Sequence, residues 1–588
     1  MTQTLIELFE QSVAQYPDNI CLSDNHGQGY KGITFRDVRR RVLHLAASLQ
    51  QMGIAKGDRV AILSENRVEW CIADLAVWYC GAIVVTLSTK LIEREDLLVR
   101  LQNSGAETLF VSSAQRGKAE EIQGQTELKR VLCFDDASFA GLMGASADAS
   151  TVGQEATAYQ TVSIEPDDPA LIIYTSGTTG NPKGVVLTHR NNVANVENHR
   201  SLGDCTPHSS TLAFLPLDHC FFHAFFLMSL ANGSNLAMPQ PGRTPIESML
   251  NMVQNIQAVH PDFLAVVPAM LQTFRVLLTQ HCRGREVTPE AAQQFFGGRL
   301  RYLIAGGALT DPETERFYLA LGLPIHIGYG MTEATMGVSR SYPAYRRTGS
   351  VGRPASLDQE VLIVDERGEA CPVDVSGEIL YRGDTVMQSY WRNPEATREV
   401  LTADGWLHTG DMGHLDADGF LYIDGRVKSL LISSTGEKYS PEGIESAIEE
   451  ASPLIHQMML YNQQSPCTVA FIVPDKAQLA AALAQRQLTL DMPEGQEAAI
   501  GLIADVIRRF RRGGELAGRF PEAWLPVTFA LLPEPFSVQN GQLTATQKLV
   551  RRRVIAAYRD RLDALFTPSG INPLNEANRR ACLEISKS

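Results

Sequence analysis

Paired-cysteine patterns are missing from this 588-residue chain. Its ten cysteines are scattered from Cys21 to Cys582, none forms a CxxC, and none stands at zinc spacing from a histidine. A disulfide framework and a zinc-ribbon class are thereby excluded, and reduced core thiols of a cytoplasmic protein are expected. Positive charge is also short: 52 Lys and Arg stand against 66 Asp and Glu, for a net charge of −14. A nucleic-acid protein held by a broad basic face is excluded, although a local basic pocket for a small anion is not. Long apolar runs are lacking too. The most apolar stretch, Trp70 to Leu87, is interrupted by Asp74 and Gly81 and reads as a buried helix running into a strand, not a membrane span. The N-terminus, Met1-Thr-Gln-Thr-Leu-Ile-Glu7, has no basic region ahead of its apolar residues, so no signal peptide is expected. There is no internal repeat. The Ala/Ser/Thr-rich stretch 143–160 is expected to be a surface loop.

What is present is an ordinary globular composition, 44% hydrophobic and 20% charged, with ample length for a large core. From about residue 160, apolar runs alternate with helical periodicities. Ala170–Tyr174, Phe263–Val267, Arg301–Ala305 and Pro324–Ile327 read as strands. Ile246 to Ile256, Ala269–Leu278 and Pro312–Leu321 read as helices. That alternation implies parallel strands covered by helices. Past about 350, short strands with Gly and Asp turns dominate, at Glu360–Val364, Gly377–Tyr381 and Phe420–Ile423. A smaller α+β region follows Arg426. In it Ser440 should cap a helix with Pro441 at its first position, strands lie near 457–461 and 468–473, and a last helix should run from Lys548 to about Leu565.

The most informative segment is Tyr174-Thr-Ser-Gly-Thr-Thr-Gly-Asn-Pro-Lys-Gly184. Its hydroxyls, its glycines and Lys183 suit a polyphosphate: small residues let the backbone approach an anion, and the ammonium supplies compact positive charge. It is not a Walker A loop, because Pro182 stands where Gly-Lys-Ser/Thr is required, and Val185–His189 reads as a strand where that fold needs a helix. Gly328-Tyr-Gly-Met-Thr-Glu333 likewise fails as a dinucleotide fingerprint, since Glu333 occupies the last glycine position.

With that loop on the page, the chain resembles the adenylate-forming enzymes: acyl-CoA synthetases, peptide-synthetase adenylation domains and luciferases. The resemblance runs from about residue 5 to 566 and is carried by six motifs in one order. Ile304-Ala-Gly-Gly-Ala308 resembles the adenine-side segment, and Tyr329-Gly-Met-Thr-Glu333 the adenine and magnesium motif. Trp406-Leu-His-Thr-Gly-Asp411 and Asp424-Gly-Arg426 resemble the ribose-binding motifs. Gln542-Leu-Thr-Ala-Thr-Gln-Lys548 resembles the catalytic-lysine segment, in a form most like the long-chain and medium-chain fatty acyl-CoA synthetases. The fold this implies is α/β. A large N-terminal domain (1–427) of parallel sheets with helices carries a β-rich subdomain at about 345–424. A small mobile α+β domain (428–588) hinges at Lys428.

The activity the resemblance implies is ATP-dependent conversion of a carboxylic acid, most naturally a fatty acid, to acyl-AMP with release of pyrophosphate, then transfer to the thiol of coenzyme A. Thr175, Ser176, Gly177, Thr178, Thr179 and Lys183 would hold the departing pyrophosphate, Thr332 the α-phosphate, and Glu333 the Mg2+. Gly307, Ala308 and Tyr329 would take adenine, Asp411 and Arg426 the ribose. Lys548 would bridge the attacking carboxylate and phosphorus, and Gly436, in Ser433-Ser-Thr-Gly-Glu-Lys438, would line the pantetheine tunnel. In Leu215-Pro-Leu-Asp-His219-Cys-Phe-Phe-His-Ala-Phe-Phe226, which resembles the acyl-pocket segment, His219 would lie near the acid, and the phenylalanines would line an apolar pocket or fill a core helix. Ser389, before Tyr390-Trp391, departs from the glycine that relatives commonly carry. Two other functions are weighed. A ligase loading the phosphopantetheine of an acyl-carrier protein would use the same tunnel, and a non-catalytic acyl-adenylate or nucleotide binder would keep the fold without turnover. The basic stretch Lys548, Arg551, Arg552, Arg553 and Arg559 raises peripheral contact with anionic lipid as a further expectation.

Overall fold

The computed structural model describes residues 3–25, 29–91, 94–144, 158–175, 182–200, 205–240, 242, 245–283, 285–342, 345–354, 356, 358–433, 437–544 and 548–587. The expected surface loop at 143–160 falls mostly outside these residues. Contacts divide the chain into two compact units, Met1–Thr409 with His414–Ile423, and Gly410–Gly413 with Asp424–Ser588. The second unit thus begins a little ahead of Lys428 and takes a short piece of the preceding strand.

The first unit is built on a seven-stranded sheet in the order Ser389–Tyr390, Lys183–Thr188, Pro169–Thr175, Ile83–Leu87, Arg59–Leu63, Thr108–Val111, Arg130–Cys133. Lys183–Thr188 runs antiparallel to both its neighbours, and every other adjacent pair is parallel. Central strands are buried along their whole length, as Ile83–Leu87 is, which is why they read as continuous apolar runs without alternation. The helix Val68–Tyr79 and this strand account for the apolar stretch from Trp70 to Leu87.

A second sheet sets Phe263–Val266, Tyr302–Ala305 and Ile325–Tyr329 in parallel, with Ser339–Arg340 antiparallel at the edge. A third joins Tyr30–Thr34, Ile20–Asn25, Asn235–Met238 and Ser210–Leu212. The β-rich part is a four-stranded sheet, Glu360–Val364, Gly377–Arg382, Leu407–Leu415 and Leu421–Arg426. The helix Cys220–Asn232 is buried at every residue and contributes to the main core. A helix apolar all round has no face to offer water and belongs in the middle of a large core.

The second unit has two three-stranded sheets around its own core of Ile444, Ile448, Met458, Ile472, Ile500, Ile503 and Phe529. Three expectations change here. The helix after Pro441 is Glu442–Glu450, and Ser440 donates to the Glu442 carboxylate at 2.6 Å instead of capping backbone N–H groups. The helix expected from Lys548 is two short helices, Arg551–Ala557 and Arg559–Leu565, broken at Tyr558, whose ring packs on Phe471. Nor is it the last: Glu576–Lys587 follows. All ten cysteines are free thiols, six of them buried. No helix among the described residues is long and apolar enough to cross a membrane.

Candidate functional site

In the first unit the chemistry gathers where strands end. Pro169–Thr175 and Lys183–Thr188 pair as a hairpin, Thr175 opposite Lys183 and Tyr174 opposite Gly184. The glycine-, serine- and threonine-rich segment therefore joins two strands. Ser176, Gly177, Thr178 and Thr179 lie outside the described residues, whereas the two ends of the loop, Thr175 and Lys183, are fixed by the sheet.

The second sheet delivers its share from the C-terminal ends of parallel strands, the usual ligand-facing edge of such sheets. Beyond Tyr302–Ala305, Gly307 and Ala308 are exposed, and Phe221 packs beneath Gly306, 3.1 Å from where a side-chain carbon there would begin. Beyond Ile325–Tyr329 the chain doubles back so closely that a Cβ on Gly330 would stand 1.3 Å from the Met336 carbonyl oxygen, so only glycine fits. The return is a single 3-10 turn, Thr332–Ala334, followed by left-handed backbone at Thr335 and Met336 (φ 50° and 90°). Non-glycine residues held there are strained, and the Thr335 hydroxyl offsets this by donating to the Thr385 carbonyl at 2.6 Å. Tyr329, at the strand end, is half-buried.

This turn buries Thr332 and Glu333. The Tyr390 hydroxyl donates to Glu333 Oε1 at 2.8 Å, and Lys183 Nζ lies 4.8 Å from the centre of the Tyr390 ring. Lys183 and Glu333, 150 positions apart in sequence by difference of their numbers, are thus linked through one tyrosine. Burial, and next the Glu333 carboxylate, push the Tyr390 hydroxyl far above its ordinary pKa, so it remains a donor. Thr332 Oγ1 sits 3.3 Å from the Cys220 sulfur.

Cys220 begins the buried helix, and His219 caps it: His219 Nδ1 accepts the Phe221 N–H at 3.2 Å, which leaves the proton of a neutral ring on Nε2. The phenylalanines divide. Phe221 reaches Gly306, while Phe222, Phe225 and Phe226 are core, Phe225 packing on Phe263. His223 is core as well: its Nε2 pairs with Asp74 Oδ2 at 2.9 Å among Trp70, Trp78 and Phe226. Burial raises the Asp74 carboxyl, and the His223 contact partly offsets it. Asp218, not singled out from the sequence, is also raised by burial, with Ser88, His219 and Lys90 pulling the other way.

The second unit carries the remaining candidates. Asp411, buried, receives Arg426 Nε at 3.1 Å, so the two expected ribose ligands face each other across adjacent strands. The preceding Gly425 (φ 147°) has no room for a side chain, since a Cβ there would lie 2.1 Å from Ser440 Oγ. Lys548 is exposed on a hairpin, not at a helix start: its carbonyl accepts Thr544 N–H at 2.8 Å, its N–H donates to Thr544 Oγ1 at 3.0 Å, and Leu543 bridges Leu549. Arg551 anchors the hairpin from below, bonding the Glu445 carboxylate and the Leu460 carbonyl (3.1 Å). Its guanidinium is therefore mostly buried within the unit. Gly436 lies outside the described residues. The strands on either side of it in sequence, Leu431–Ser433 and Lys438–Tyr439, pair antiparallel.

Among known proteins, the family model described as AMP-binding enzyme matches residues 9–391, and the AMP-binding enzyme C-terminal domain matches 428–494. The chain is 26% identical over 576 residues to long-chain-fatty-acid–CoA ligase FadD15 of Mycobacterium bovis, covering 91% of this chain and 92% of that protein. To fatty acyl-CoA synthetase A of Dictyostelium discoideum it is 28% identical over 595 residues, 93% and 87% of the two chains. Among solved structures, the anthranilate CoA ligase AuaEII in complex with anthranoyl-AMP shares the fold with a TM-score of 0.77 at 21% identity, covering 95% and 98%. The o-succinylbenzoate coenzyme A synthetase of Bacillus subtilis in complex with AMP has a TM-score of 0.71 at 25% identity, covering 93% and 97%.

Proposed function

The chain belongs to the AMP-binding enzyme family, and from that premise we propose that it activates a fatty acid with ATP and passes the acyl group to the thiol of coenzyme A. In the first step the acid's carboxylate oxygen attacks the α-phosphorus, forming acyl-AMP and releasing pyrophosphate. In the second, the thiol displaces AMP and loses its proton. The observation that carries this reading is the line Lys183–Tyr390–Glu333, which sets an ammonium and a buried carboxylate on either side of one tyrosine at the end of the phosphate hairpin.

The residues suit their parts. Glu333, with one oxygen held by Tyr390 and little solvent around it, offers the hard oxygen donor that a divalent cation takes. Bound there, Mg2+ would offset phosphate charge and polarise the phosphoryl oxygen. Thr332 presents a hydroxyl to the α-phosphate, and Lys183 a charge to the leaving pyrophosphate. Asp411 can accept both ribose hydroxyls, and Arg426 holds its carboxylate in place. Lys548 supplies an ammonium to the phosphate as negative charge builds there. His219, with Nε2 as donor, would meet the acid, and Phe221 would border its chain.

The relatives' printed names favour a fatty acid and coenzyme A. A panel of aliphatic and aryl acids, assayed for acid-dependent pyrophosphate release with and without CoA, tests both halves. Release with long-chain acids and a rise in AMP on adding CoA are expected. Release that CoA leaves unchanged would point to a carrier protein's phosphopantetheine instead, and no release with any acid would overturn the reading.

A further inference from the structure

We propose that Tyr390 is a positioning residue that holds Glu333 in the orientation needed by the site's divalent cation, while its ring holds the Lys183 ammonium. The inference rests on the functional reading above and adds a residue to it. It begins with the backbone. Ser389–Tyr390 is a two-residue strand whose whole pairing is to the strand that carries Lys183: Ser389 lies opposite Val186 and Tyr390 opposite Val185. Two further bonds extend the clamp, Gln388 N–H to the Val186 carbonyl at 3.0 Å and Trp391 N–H to the Gly184 carbonyl at 2.6 Å. On its other side the same strap is tied to the acid's own turn, since Met387 N–H donates to the Glu333 carbonyl at 2.8 Å. Thr397 Oγ1 accepts the Tyr390 N–H at 3.0 Å and removes what slack is left. So short a strand has little reason to be fixed from three directions unless its side chain must be placed.

That side chain is buried, with 5% of its surface exposed, and Glu333 has 8%. In such surroundings a hydrogen bond to a carboxylate is strong and directional. The hydroxyl occupies Oε1 and so fixes the plane of the carboxylate. The ring face takes the ammonium at 4.8 Å, within the range where the attraction of a cation to an aromatic quadrupole is appreciable. One side chain therefore sets the positions of both a cation and an anion that the proposed reaction uses. Partners that orient a metal-binding carboxylate without touching the metal typically change metal affinity or activity about 10–100-fold when removed.

The test separates the two contacts. Mn2+ binding is followed by electron paramagnetic resonance in the presence of a non-reacting α,β-methylene analogue of ATP, and analogue binding is measured separately in EDTA. Tyr390→Phe keeps the ring and loses the hydroxyl. It should weaken Mn2+ binding about 10-fold or more and leave metal-free nucleotide binding as in the wild type. Tyr390→Leu loses both contacts and should weaken both. Because loss of a buried hydroxyl can unfold a chain, the titration is repeated with 3,5-difluorotyrosine at position 390, which keeps the shape and alters donor strength. An altered Mn2+ affinity is expected there. Unchanged Mn2+ affinity in either hydroxyl variant, with or without a fall in melting temperature, assigns Tyr390 a merely structural role and overturns the proposal. A wild-type chain that binds neither analogue nor Mn2+ overturns the functional reading, and the role of Tyr390 with it. A wild-type chain that binds both beside an insensitive Tyr390→Phe overturns the role of Tyr390 alone.

Discussion

Lys548 lies on a hairpin whose two ends are pinned, by the Thr544 bonds on one side and by Arg551 on the other, yet its own side chain is exposed. A charge presented this way adds little to the stability of the unit and much to any anion brought to it. Lys548→Ala should leave melting unchanged and lower the rate of pyrophosphate release about 10²–10³-fold, the usual cost of one such electrostatic contact. Thioester formation from supplied acyl-AMP should persist, because that step has no pyrophosphate to expel. Release at the wild-type rate would remove Lys548 from the chemistry. The sequence marked this lysine by its neighbours but misjudged its setting: the Lys548–Arg553 run carries helical charge spacing, and the Val550 N–H bond to the Gln542 carbonyl, 2.8 Å, holds the chain in the hairpin until Arg551. Tyr390 was less legible still. Its partners Lys183 and Glu333 are distant in sequence, and no spacing rule connects them.

Elements were legible where period or punctuation was strong. The strands on either side of the phosphate loop stood out because Gly and Pro interrupt an otherwise apolar pair, and they pair as that pattern implies. The helix Cys220–Asn232 was ambiguous because a segment buried on every side has no polar face to mark its period. The link to the second unit belongs with the elements whose role is read from chemistry alone. Val427–Ser429 is a single 3-10 turn just past the unit boundary. Proline at its middle residue would fix φ, and would push Val427 away from the helical region. If the second unit must reorient between the two steps, Lys428→Pro should retain acid-dependent pyrophosphate release within a few-fold and lose thioester formation. Measured side by side, equal loss of both would show that the turn does not act as a hinge.

At the scale of the whole molecule, each unit holds a titratable group, His199 buried and Glu449 half-buried, and the two pKa values are displaced in opposite senses. His199, in the first unit, is pushed down to about 4, first by burial and then by the Arg340 charge, its Nδ1 facing the Asn195 carbonyl at 2.7 Å. Burial pushes Glu449, in the second, up to about 8, against the Met458 N–H that donates to it at 2.6 Å. For His199 the unfolded chain takes up the proton first, near its ordinary pKa of about 6.5. Its contribution to stability is therefore intact above that pH and is lost as pH falls toward 4, by about 3 kcal/mol at most at 1.36 kcal/mol per unit. For Glu449 the folded state keeps the proton longer, so its contribution is intact below about pH 4.3 and is lost as pH rises toward 8. A chain of two units need not unfold in one step, so calorimetry should be read transition by transition. The gap in melting temperature between wild type and His199→Gln should narrow as pH falls from 7 to 5 in the transition of the first unit. Glu449→Gln, which cannot ionise, should gain on wild type in the transition of the second unit as pH rises from 5 to 8. A His199 gap constant with pH would mean that the imidazole titrates alike in the folded and unfolded chain, and that its burial in the first unit is looser than its contacts imply.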